Sequence, residues 1–380
     1  MGISHLSIAG ANPKVEVVAV CDTSAYLLSV LSKYTGVRTY NKMESMLAAE
    51  SLDAVIISTP SNMHAAMVRT ALSANINVFC EKPFCLDPNE SAELAHLAEE
   101  RGLVTQVGYH NRFIGAFAEV KRLLETRAIG EVSHVLAESY GPVVLKPKGG
   151  TWRTRQADGG GCLYDYAAHP IDLLNWYFGE PETTSGSLLR RIFSKETDDE
   201  VYSTFSWRSG PTGHLSVNWS DESQRKMTTM ITIWGKGGKI YADRQECRVY
   251  LRNLDGAPPG YNLGWNARYT TSLTSPVNFY LRGEEYSAQL DEFVERVNSQ
   301  LVEGLNDFRS AAVTDRTLRA IIDDATSAVI PRPITPESAL RDDRTSRSNT
   351  IGTRVPAGSI ARARVRGLVV RLLSAAKAKG

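Results

Sequence analysis

Asp165 and His169 stand four residues apart behind three glycines, in Gly159-Gly160-Gly161-Cys162-Leu163-Tyr164-Asp165-Tyr166-Ala167-Ala168-His169-Pro170-Ile171-Asp172. On a helix that spacing puts both side chains on one face. The glycines let other backbone approach closely where the helix begins. Oxidising an alcohol needs a base with a near-neutral pKa, and an imidazole supplies one. Asp165 would orient that imidazole or touch the substrate. A lone His or Asp is usually structural, but the glycine-rich approach shifts the balance towards chemistry. No third ligand cluster accompanies the pair, so zinc is disfavoured and no metal is expected.

Three shorter segments would serve the same chemistry. Glu81-Lys82-Pro83 follows the apolar run Asn77–Cys80. Charged residues rarely enter such a core without reason. Lys82 could donate to a substrate hydroxyl, with a surface salt bridge to Glu81 as the plainer reading. Pro83 is a candidate for a cis bond. Asp22 directly follows Val15–Cys21, where an acidic residue accepts hydrogen bonds from the ribose hydroxyls of a dinucleotide. No Arg follows it, which favours NAD over NADP; helix capping is the structural alternative. Ser58-Thr59-Pro60-Ser61-Asn62 ends the run Ala54–Ile57, where parallel sheets bind ligands. Asn62 is a candidate cap for the helix carrying His64. Upstream of the glycines, Lys146, Lys148, Arg153 and Arg155 suit phosphate or carboxylate contacts. That favours an anionic sugar, nearly balanced by a solvated basic loop.

The elements that must hold these groups can be read from periodicity. The apolar runs at 15–20, 54–57, 77–80 and 104–107 read as strands buried on both faces. Helical spacing fills 25–34, 63–72 and 88–101, the last opening with Asp87 as N-cap and Pro88 at N1. Alternation of this kind implies βαβ units and a doubly wound parallel sheet. Beyond residue 130 come a strand at 131–138 and a helix at 165–178. Strand-like runs then follow at 202–207, 214–219, 227–234, 239–242 and 248–251, separated by short turns. This predicts an open, mostly antiparallel sheet, closed by helices near 284–299 and 313–328. The expected division is a dinucleotide-binding domain over 1–112, a substrate-binding and oligomerisation domain over 113–336, and a tail over 337–380.

Composition sets outer limits. Lys and Arg number 43 against 42 Asp and Glu, so overall charge makes no case for nucleic acid. No window approaches the ~20 apolar residues of a membrane span, and no signal peptide opens the chain. The five scattered cysteines match neither a zinc nor a disulfide pattern, which favours a reducing cytoplasm. Residues 341–380 carry ten Arg and Lys against two Asp. They read as a disordered basic tail, with a helix lying on an anionic membrane surface as the alternative.

With Asp22, Glu81-Lys82-Pro83 and GGGCLYDYAAHPID in this order, the chain resembles the Gfo/Idh/MocA oxidoreductases, which include glucose–fructose oxidoreductase, inositol dehydrogenases and nucleotide-sugar 3-dehydrogenases. The likeness covers about residues 1–330. It implies a Rossmann domain followed by an α/β domain whose open sheet packs on another subunit, as a homodimer or homotetramer. Lys82, Asp165 and His169 would fill the family's catalytic trio. Gly2, Ile3, Asp22, Thr59, Pro60, Asn62, His64, Glu81 and Lys82 would line the NAD. In Val107-Gly108-Tyr109-His110-Asn111-Arg112-Phe113, Asn111 and Arg112 would face the substrate, joined by Arg153 and Tyr166. Family members open with a strand and a G-x-G-x-x-G turn. Here Met1-Gly2-Ile3-Ser4-His5 resembles only the end of that motif, with Gly2 as its third glycine. The expectation is a start assigned too late and a sheet lacking its first strand, which belongs between 15–20 and 54–57. The implied activity is hydride transfer between a sugar-like secondary alcohol and NAD. A glycosidase using bound NAD and a non-catalytic homologue are the alternatives.

Overall fold

The computed structural model describes residues 1–145, 151–208, 210–327 and the backbone of 368–372. Lys146 and Lys148, and most of the tail expected over 337–380, therefore lie outside the described residues.

The first layer grows from short strands, mostly apolar in their buried parts. In chain order its elements are α1 (Gly2–Ala11), β1 (Val15–Cys21), α2 (Ala25–Thr35), β2 (Arg38–Tyr40), α3 (Met43–Ala49), β3 (Ala54–Ile57), α4 (His64–Ser73), β4 (Asn77–Cys80), α5 (Pro88–Glu100) and β5 (Thr105–Val107). All four residues of β3 are buried, as a strand covered on both faces requires. Ser24 caps α2 through the Leu27 N–H, and Asp87 caps α5 with Pro88 in its first turn. Met1–His5, read as the end of a glycine turn, forms the start of α1, and Ile8 and Ala9 bury its inner face.

The second layer follows α6 (Gly115–Glu125). It comprises β6 (Val132–Tyr140), α7 (Ala168–Phe178), β7 (Thr183–Arg190), β8 (Glu200–Ser206), β9 (Thr212–Asn218), β10 (Met230–Gly235), β11 (Gly238–Ala242), β12 (Glu246–Leu251) and β13 (Gly264–Tyr269). Its eight strands run in the order β13-β12-β11-β10-β6-β9-β8-β7. Every neighbouring pair is antiparallel except β6 with β9. Alternating burial, as in β8 and β9, leaves one face packed and one open.

Two expectations change. The elements α8 (Thr270–Leu273), α9 (Glu284–Ser299), α10 (Phe308–Ser327) and β14 (Leu368–Leu372) complete the fold. The helix expected near 284–299 does not close the second layer. Leu290, Phe293 and Val294 of α9 join Ile8, Ala9, Val15, Ala54, Ile56 and Phe79 in a core on the first sheet. The Phe79 and Phe293 rings meet edge to face at 5.8 Å. The apolar stripe of α9 finds its match on the exposed face of the parallel strands, so the chain returns to cover them.

The other change concerns the tail and the absent strand. The first sheet runs β2-β1-β14-β3-β4-β5. β1 and β3 are not left as bare edges. Residues 368–372, expected to be disordered or helical, form a strand between them, antiparallel to both. Val369 lies opposite Ala19 on one side and Val55 on the other. Two buried edges would each carry unpaired N–H and C=O groups, and a strand in the slot satisfies both.

Among the described residues no helix is long and apolar enough to cross a membrane, and no group of His, Cys, Asp or Glu could hold a metal ion.

Candidate active site

The site forms where the carboxyl ends of the parallel strands meet the start of α7. The turn after β4 places Lys82, and the Lys82–Pro83 peptide is cis. The segment Leu163–Ala167 winds as a single π turn before α7. It therefore does not give the simple one-face α-helical relation read from the four-residue spacing. Lys82 Nζ donates to the Asp165 carbonyl oxygen at 2.8 Å and lies 3.2 Å from Asp165 Oδ1. Arg153 Nε donates to Asp165 Oδ2 at 2.7 Å. Burial alone would raise the Asp165 carboxyl, but Lys82 and Arg153 outweigh it and hold the group below its usual range. Asp165 is thus gripped by two cations, and no hydrogen bond joins it to His169.

His169 is 3% exposed. Burial, then the charge of Lys82, pushes its pKa well below the ordinary imidazole value, so it stands neutral at pH 7. Its Nδ1 is buried without a hydrogen-bond partner. The His110 ring meets it edge-on at 4.8 Å, and His110 in turn stacks on Tyr286 of α9 at 4.6 Å. Burial holds His110 down to about 3. His110 and Tyr286 were not among the expected site residues. His110 lies within the Val107–Phe113 segment, whereas Tyr286 reaches the site only because α9 folds back.

Several expected ligand contacts take other roles. Arg112, expected to face the substrate, is turned into an ion pair within the fold. It is 4% exposed, donates through Nε and Nη2 to both Asp172 carboxylate oxygens at 2.9 and 2.6 Å, and reaches the Leu305 carbonyl. A buried guanidinium demands such pairing. Tyr166 is buried in the core, its ring edge-on to Trp219 at 6.3 Å. His64 is buried with Nδ1 2.8 Å from the Pro83 carbonyl and Nε2 3.2 Å from that of Thr59, so it fastens two turns together. Asn62 makes no cap to α4 and donates instead to Asp158. Glu81 pairs with His5 at 2.6 Å rather than with Lys82. Burial opposes the Glu81 charge, yet the His5 hydrogen bond and charge carry its pKa down to about 2.

A family model described as "Oxidoreductase family, NAD-binding Rossmann fold" matches residues 1–109, and the "GFO/IDH/MocA C-terminal domain" matches 117–241. An uncharacterized oxidoreductase of Schizosaccharomyces pombe is 34% identical over 256 residues, spanning 66% of this chain and 69% of the relative. The chain belongs to the Gfo/Idh/MocA family. Inositol 2-dehydrogenase of Rhizobium meliloti is 25% identical over 305 residues, covering 76% of this Gfo/Idh/MocA chain and 87% of that protein. Levoglucosan dehydrogenase, solved with NADH and levoglucosan, shares the fold with a TM-score of 0.73 at 18% identity, over 85% of this chain and 93% of that one.

The residues present in this Gfo/Idh/MocA chain fit an NAD. Asp22 is 2% exposed at the end of β1. The hydroxyls of Ser58 and Thr59, at the end of β3, are buried with no hydrogen-bond partner. Native structures rarely leave such groups orphaned unless a ligand or water meets them. No side chain caps α1, so its first-turn N–H groups near Gly2 and Ile3 remain suited to an anion. Gly2 is buried and Ile3 is half exposed.

Proposed function

We propose that the chain is an NAD-dependent dehydrogenase acting on a secondary alcohol of a sugar or sugar-like polyol, such as an inositol, a sugar acid or a nucleotide sugar. The observation that carries this reading is the convergence of Lys82 on Asp165, one turn before the buried neutral imidazole of His169, at the carboxyl edge of a parallel sheet. NAD, when bound, supplies the hydride acceptor. Asp22 would hold the adenosine ribose, with Gly2, Ile3, Ser58, Thr59 and Pro60 beside it.

The chain's own groups handle the proton and the charge. A neutral imidazole has one acceptor nitrogen, so His169 can take the hydroxyl proton. An ammonium has three N–H donors. Asp165 occupies two on Lys82, and the third is left for the substrate oxygen, where it stabilises developing negative charge. Asp165 fixes the ammonium's direction. Lys82 and Arg153 against Asp165 leave one net positive charge, which supports an anionic substrate. The open face of the large sheet, with Leu263, Trp265 and Tyr269 exposed, supports a homodimer or homotetramer. A cytoplasmic setting accords with five free cysteines.

Equilibrium dialysis with NAD, beside an absorbance screen for NADH across sugars, sugar acids and inositols, tests the reading. Asp22→Ala is expected to weaken NAD binding about tenfold or more, because hydrogen bonds to a charged group contribute ~1.5–3 kcal/mol. Unchanged NAD affinity in that variant, or no NADH with any alcohol, counts against it.

A further inference from the structure

The turn that carries Asp165 has no local cap. Cys162 precedes the π turn and its side chain makes no capping hydrogen bond to it. The first N–H groups of a helical segment have no partner within it, so something else must accept them. Asp198, in the loop between β7 and β8, does so twice. Its carbonyl oxygen accepts from the Cys162 N–H at 2.9 Å and its Oδ2 from the Leu163 N–H at 2.6 Å. Gly161 makes room for this. It adopts φ +118°, and a Cβ there would run into Asp198 Oδ1.

The loop holding Asp198 is itself tied down. The neighbouring Asp199 is fully buried. Its Oδ2 accepts from the N–H groups of Ile192, Phe193 and Ser194 at 2.6–2.8 Å. Its Oδ1 accepts from Trp219 Nε1 at 2.8 Å. Asp199 thus folds the loop and anchors it to the segment after β9, while Asp198 projects onto the glycine turn.

We propose that Asp198 is a positioning residue for the site, capping the Gly161–Leu163 turn across the fold and so setting where Asp165 presents itself to Lys82 and Arg153. This rests on the reading of that pair as the reacting centre. What the role needs is an acceptor oxygen, not a charge. Asp198→Asn keeps the side-chain acceptor and the volume; Asp198→Ala removes both and leaves only the main-chain bond to the Cys162 N–H.

The test compares the two variants with the parent chain. It measures amide hydrogen exchange across 161–167, NAD affinity by dialysis, and kcat and KM with whichever sugar the parent oxidises. Asp198→Ala is expected to speed exchange across 161–167 about tenfold or more. It should lower kcat about tenfold to a hundredfold, since small misplacements cost that much, while NAD affinity stays within about twofold of the parent's. Asp198→Asn should resemble the parent in all three. Parent-like exchange in Asp198→Ala overturns the proposal, as does an equal loss of kcat in both variants, which would make charge the operative property. If the parent reduces NAD with no alcohol, the dehydrogenase reading fails, and the exchange comparison still decides the capping role.

Discussion

The residues that touch the reaction are fewer than the ionisable groups gathered around it, and the surplus holds the frame. Arg112 and Asp172 form a buried two-hydrogen-bond pair beneath α7. Removing one partner strands the other's charge, so Asp172→Ala is expected to cost about 3–5 kcal/mol, read by urea denaturation. A loss below about 1 kcal/mol would show the pair to be unimportant. Asp315 is the other case. It is 3% exposed, and its Oδ2 accepts the Cys85 N–H at 2.9 Å behind the Lys82 turn. Burial pushes its carboxyl up to about 7. An acid raised on folding binds its proton more tightly in the native state, so its contribution falls as pH rises from the unfolded value near ~4 to about 7. At ~1.4 kcal/mol per pH unit the swing approaches ~4 kcal/mol. Asp315→Asn should therefore match the parent's melting temperature most closely near pH 4 and gain on it steadily towards pH 7. A difference independent of pH would contradict this.

Among the elements, the sequence was most legible where the pattern was simple. Val15–Cys21, Ala54–Ile57 and Asn77–Cys80 are short runs dominated by apolar residues, and each is a strand. The Lys82–Asp165 contact was foreshadowed too, because glycine, proline and charge interrupt the hydrophobic pattern at both segments. The Arg112–Asp172 pair was not legible, because nothing in the sequence near Arg112 points to a partner 60 residues away. Asp198 gave no local sign, since its partners lie 35 residues away. Helix α9 carried a clear stripe, but nothing in a stripe says which sheet it will cover. The least legible element was β14, because a basic tail pattern hides a five-residue strand with a neighbour on each edge. Val369→Pro removes one backbone donor from a strand with neighbours on both edges. It is expected to cost about 1–3 kcal/mol, seen as a fall of several degrees in melting temperature. An unchanged melting curve would show that the sheet does not depend on this strand.

For the molecule as a whole, the site exists because two sheets with different pairing rules share one seam. The parallel sheet brings Asp22, Ser58, Thr59 and Lys82 to its carboxyl edge, and the second layer delivers Asp165 and His169 from α7 and the turn before it. Helices α9 and α10 bridge the two, α9 against the parallel strands and α10 against α5, α7 and β7. Neither layer alone contains both the dinucleotide edge and the imidazole proposed as base, so the proposed reaction depends on their meeting at His169. The direct measurement is the rate of NADH formation by His169→Ala and the parent on the best alcohol found, with NAD affinity measured in parallel. The expected result is a loss of about 10²–10⁴ in rate with NAD binding unchanged; turnover equal to the parent's would contradict the assignment.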